Sequence, residues 1–166
     1  MITAAHVRTM ADYNRWQNEN LYGAADRLTD AQRKEQRGAF FGSIHATLNH
    51  LVYGDQIWMS RFAGTPQPKA ASIAQSVGMY EGWDELKRER QAFDRVIIDW
   101  AQRLHPAWLE GDLTWFSGAS QREVTKPKWL LVTHFFNHQT HHRGQVHCLL
   151  TQFGVKPGDT DLPFQR

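Results

Sequence analysis

The chain has one cysteine in 166 residues, Cys148, so an internal disulfide is excluded. No apolar run approaches the roughly 18 residues needed to cross a membrane. The first ten residues, MITAAHVRTM, lack the apolar core of a signal peptide, and the protein is expected to be cytoplasmic. Charge of one sign is not gathered anywhere. The formal net charge is only +2, and lysines and arginines alternate with acids, as in Glu85 to Arg90, so neither nucleic acid nor a membrane surface is an expected partner. Repeats and low-complexity tracts are missing too. With 41% hydrophobic and 22% charged residues the composition is that of a folded chain, and a chain of this length buries roughly 68–70% of its unfolded surface without a staple. Residues 1–166 are therefore expected to form one domain.

What the sequence does have is histidine. Five of its nine histidines fall in Thr133 to Leu150, THFFNHQTHHRGQVHCLL, which reads as helix. At about 100° per residue His138 and His142 share a face one turn apart, with Cβ atoms roughly 5–6 Å from each other, a spacing that suits one divalent ion. Leu131, His134, Gln145 and Leu149 continue that stripe, pointing the imidazoles toward an apolar interior, where unpaired polar groups are costly. An HxxxH pair also arises by chance, and exposed or hydrogen-bonded histidines explain it as well. Protease-type HExxH chemistry is excluded, because Gln139 stands where that pattern needs Glu. Gly144, a poor residue for a helix interior by about 1 kcal/mol, suggests close approach of another backbone. Cys148, about 80° round the helix from His138, is expected to be a small core residue rather than a ligand.

The run Asn137-His138-x-x-His141-His142-Arg143-Gly144-Gln145 resembles the signature of the DinB/YfiT-like family of small metalloenzymes, a family distinct from the DNA polymerase of similar name. The similarity extends to Leu48-Asn49-His50-Leu51 with Asp55 and Trp58, and to Trp16 and Asn18 in the first helix, so it spans most of the chain. It implies an all-α four-helix bundle with a long crossover connection. It also implies a divalent metal held by His50, His138 and His142, chemistry dependent on low-molecular-weight thiols in some relatives, and a homodimer. His50 taken alone sits beside its helical stripe and reads as a boundary histidine.

In chain order, Thr3 can cap a helix whose stripe is Val7, Met10, Asn14, Gln17, Leu21, Ala24 and Leu28, with two amides in its middle. Those amides either face a polar site or mark a wet turn. Thr29 to Gly42 reads as loop. Ser43 caps a second helix, with Ile44, Leu48, Leu51, Asp55, Trp58 and Phe62 in line, ending at Gly64. Asp55, about 140° from His50, is expected to orient a histidine or pair with Arg61 rather than share an ion with His50. Thr65 to Met79 is the crossover. Trp83, Leu86, Arg90, Phe93, Ile97, Trp100 and Leu104 give a third helix closed by Pro106. A short hairpin is expected before Pro127, which opens a last helix ending at Gly154, and the tail with Asp159 and Asp161 is expected to pack loosely.

The functional expectation is a metal-dependent enzyme, a thiol-dependent S-transferase or hydrolase, with zinc or nickel ahead of iron or copper as the ion. Asn14, Trp16 and Gln145 are candidate neighbours of the site. His134 and His141 are spare histidines for proton movement. The alternative is a non-catalytic helical module that binds metal or dimerises, which needs no proton-transfer group.

Overall fold

The computed structural model describes residues 1–118 and 120–165. Helix α1 (Ala4–Ala25) starts at Thr3, whose side chain accepts the His6 amide, and α3 (Ile44–Ala63) starts at Ser43, which accepts the Ala46 amide. Gly64 ends α3 at φ +67, in the left-handed region where a Cβ is disfavoured. Helix α5 (Trp83–Arg103) stops before Pro106, and α6 (Lys128–Gln152) begins after Pro127 and is terminated near Gly154 at φ +74. Strands β1 (Asp112–Ser117) and β2 (Arg122–Pro127) pair antiparallel, with Trp115 opposite Val124. The chain is thus mostly helical with a small two-stranded sheet, rather than strictly all-α. Helix α1 packs on α5 and α6, while α3 packs on α6 and α5. Among the described residues no helix is long and apolar enough to cross a membrane.

Two expected loops contain helix. Thr29 and Gln32 form a reciprocal capping box that nucleates the short α2 (Asp30–Lys34), and Ser72 caps the short α4 (Ile73–Ser76) inside the crossover. The tail does not pack loosely. Its backbone carbonyls are tied to α1 and the turn after it: Tyr13 donates to Thr160, Gln17 and Asn20 donate to Asp159, and Arg27 donates to Lys156.

Apolar residues fill the two ends of the helical body. One cluster gathers Leu21, Leu48, Leu51, Leu86, Val146 and Leu150, and the other Val7, Met59, Phe62, Ile97, Trp100 and Phe135. Between them each long helix turns polar at a matching level: Asn14 and Asn18 on α1, Asp55 on α3, Arg90 and Asp94 on α5, Gln139 and Arg143 on α6, all buried. The Arg90 guanidinium donates to Asp55 at 2.6 Å and lies 2.9 Å from Asp94, close enough for an ion pair but not aligned as a hydrogen bond. Asn18 donates to Asp94, Gln139 donates to Asp55, and Arg143 donates to Asn14. Burial raises the Asp55 carboxyl to about 6 against the pull of Arg90. Asp55 therefore pairs with Arg90 and Gln139, not with a histidine or Arg61.

A buried ion pair of this kind is weak evidence of net stabilisation, yet removing one partner strands a charge and costs about 3–5 kcal/mol. Arg90→Ala should lower unfolding free energy by about that amount in urea titrations. A loss under about 1 kcal/mol would show that the pair does not hold α3 to α5.

Candidate metal centre

His50 reaches the site from α3, and His138 and His142 from α6, because these two helices pack face to face. Their nearest candidate ligand atoms all lie within 4.8 Å of one another, so the three could hold a metal ion. His50 Nε2 and His138 Nε2 are 3.2 Å apart. Two nitrogens each about 2.0–2.1 Å from one ion at a tetrahedral angle would be about 3.3 Å apart, so this pair fits a shared ion with little movement. The cluster contains no carboxylate.

The outer nitrogens are held by neutral partners. Ser76 Oγ donates to the Ile73 carbonyl at 2.6 Å, which leaves its lone pairs to accept from His50 Nδ1 at 3.1 Å. Gln145 Oε1 accepts from His142 Nδ1 at 2.9 Å. Both contacts put the ring proton on Nδ1 and the free lone pair on Nε2, the orientation by which hydrogen-bonded neighbours prepare histidine ligands. Phe41, on the turn before α3, lies over the His50 ring at 4.0 Å and the His142 ring at 5.3 Å. Gly54, one turn beyond His50, faces the His138 ring. A Cβ there would sit 3.1 Å from His138 Cε1, so glycine is what lets that ring lie against α3.

Burial dominates the electrostatics. It lowers His50 to about 4, with the neighbouring His142 adding to the effect, and lowers His138 to about 3, with His142, His50, His134 and His141 adding in turn. His142 is lowered by burial against the opposing Gln145 hydrogen bond. All three rings are therefore neutral near pH 7, the state in which imidazole binds metal.

Of the other sequence candidates, Gln145 touches the cluster through His142. Asn14 faces inward but accepts from Arg143 in the polar layer. Trp16 packs edge-on against Tyr13 and lines a surface pocket with the tail residues Asp159 and Phe164. His134 packs against Trp58, and His141 is exposed beside His142. Two readings are corrected. Cys148 is exposed, because it falls on the outward face of α6 with Thr140, Gly144 and Thr151, and nothing approaches Gly144 within 4 Å of where its Cβ would be. The close-approach argument belongs to Gly54. Ser76 and Phe41 have no signal in the sequence, since one lies in a four-residue helix inside the crossover and the other in a turn, segments whose placement depends on the whole fold.

A protein-family model described as DinB family matches residues 1–166. Protein DinB of Bacillus subtilis (strain 168) is 24% identical over 157 residues, covering 90% of this chain and 87% of that protein.

Since the folded values of His50 and His138 lie below the unfolded value near 6.5, the metal-free unfolded chain takes up protons that the folded one refuses as pH falls. Each ring thus removes stability progressively from about pH 6.5 down to its folded value. Urea unfolding of metal-free protein between pH 7 and pH 5 should show a steeper loss in the parent than in His138→Asn. Equal slopes would mean that the ring is not held neutral.

Proposed function

The chain belongs to the DinB family, and from that premise we propose that it is a metal-dependent enzyme whose divalent ion is bound by His50, His138 and His142. The observation that carries this reading is the convergence of three desolvated imidazoles, two of them turned by Ser76 and Gln145 so that Nε2 is free. Three neutral nitrogen ligands leave a coordination position open, the pattern of catalytic rather than structural zinc sites. We take zinc or nickel as the ion, over iron or copper. A divalent ion there supplies Lewis acidity, favouring the deprotonated form of water or of a low-molecular-weight thiol placed in the open position. The reaction class we assign is thiol-dependent S-transfer to a small electrophile, with hydrolysis as the variant that uses water.

The chain's own residues divide the remaining work. Phe41 shields one side of the cluster from water, and Ser76 and Gln145 keep two rings in one tautomer. With no carboxylate in the cluster, His134 and His141 are the groups left to accept or return a proton. The domain, residues 1–166, folds as a four-helix bundle in this reading and works in the cytoplasm as a homodimer. Gly144 is exposed on the outward face of α6, with nothing within 4 Å of where a Cβ would be, which supports placing the partner there. Light scattering at micromolar concentration should give twice the chain mass; the monomer mass would refute the dimer.

Elemental analysis of untagged protein purified without added metal should find close to one divalent ion per chain, lost in His138→Ala. Ser76→Ala should weaken the affinity by about 10- to 100-fold through loss of the His50 orientation. Folded, metal-free parent protein that also fails to take up zinc or nickel would favour a non-catalytic helical module instead.

A further inference from the structure

The histidine cluster is closed at one end and open at the other. Phe41 covers His50 and His142. In the opposite direction α3 and α6 run antiparallel with paired rungs. His50 faces His138, with ring centroids 5.2 Å apart, and two turns further along α3 Trp58 faces His134 at 5.3 Å. His134 and His138 are themselves 5.8 Å apart. Gly54 stands between the two α3 rungs without a side chain. The row is open to solvent: His138 and Trp58 are half-buried and His134 is exposed.

At the far end stands a cation with no acid. The Arg61 guanidinium lies 4.6 Å from the Trp58 ring and 5.5 Å from Trp115, which the β1 strand brings over the end of the row. Among the described residues Arg61 makes neither an ion pair nor a hydrogen bond, although it is half-buried; the one ionisable group that acts on it electrostatically is the phenol of Tyr53. Two indole rings flank the guanidinium, and its donors are unused among the described residues. Those donors match a carboxylate, which guanidinium binds through two parallel hydrogen bonds.

We propose that this row is the substrate channel and Arg61 its anion receptor: the substrate is an elongated molecule with a carboxylate at one end, an apolar middle lying along Trp58 and His134, and its reacting end at the three histidines. The inference rests on the reading of those histidines as a metal centre and names the class of molecule that reaches it. Arg61 is a binding residue here, distant from the reacting atoms.

The test uses protein loaded with cobalt(II), whose absorption reports thiolate ligation directly. The probes are 8-mercaptooctanoate and 8-mercaptooctanol, identical at sulfur and different only at the far end, with 3-mercaptopropionate as a chain too short to reach Arg61. The octanoate should bind about tenfold tighter than the octanol, a preference that shrinks with added salt. It should fall to about equal binding in Arg61→Gln, return in part in Arg61→Lys, and be absent for the short acid. Unchanged thermal melting of both variants would separate lost recognition from a loosened hairpin. Should Arg61→Gln melt early, Arg61→Lys together with the salt dependence and the chain-length comparison decides. Equal binding of the two long thiols to the parent protein, or a preference that survives Arg61→Gln, would overturn the receptor. Absence of a thiolate band with every probe would remove the metal centre as a thiol site, and the channel with it.

Discussion

The register between α3 and α6 depends on the buried Gln139, which donates to the Leu51 carbonyl and to an Asp55 that is itself held by Arg90. Asp55 follows Gly54 and Gln139 follows His138, so the contact that joins the two helices also delivers the His138 ring to the one α3 position lacking a Cβ. From there His138 meets His50 one turn back. Sliding α6 by a turn would separate the histidines and take Gln139 away from the buried Asp55. Sliding α3 would also pull Asp55 off Arg90 and leave it an uncompensated buried charge, a far larger penalty than any surface pair could offset. The polar layer at mid-height therefore has a positional role that an apolar layer, indifferent to register, could not fill.

Around that fixed point the site is assembled from inexpensive parts. Burial alone suffices to keep the rings neutral, and a serine from a four-residue helix and a glutamine one turn along α6 set their tautomers. Neither partner carries charge, so the site presents neutral nitrogen donors to an incoming divalent ion. The same economy leaves it without a carboxylate base, which directs attention to chemistry in which the nucleophile is deprotonated by coordination rather than by a side chain.

Much of this was legible in the sequence, for identifiable reasons. Thr3, Ser43, Gly64 and Pro127 mark helix ends by local backbone chemistry, and local rules survive folding. The His138 and His142 spacing is likewise local, and His50 was found through family resemblance rather than through its own helical stripe. What escaped is what depends on distant segments. Arg90 looked like one member of an aromatic stripe until Asp55 gave it a partner, and Ser76 lay in a crossover without a periodic pattern. Close approach is found at Gly54 and not at Gly144, which lies on an open face, since periodicity does not say which face of α6 has a neighbour. The tail was misjudged because its ties to α1 run through backbone carbonyls, which leave no trace in side-chain pattern.

The most direct test of the account is X-ray absorption at the metal edge of zinc-loaded protein, compared with the same protein carrying His50→Ala. Three imidazole nitrogens at about 2.0–2.1 Å, with the multiple-scattering signature of ordered rings and one exchangeable oxygen ligand, are predicted for the parent, falling to two imidazoles in the variant. A shell of oxygen or sulfur alone, or an imidazole count unchanged by His50→Ala, would contradict the three-histidine centre on which the functional reading stands.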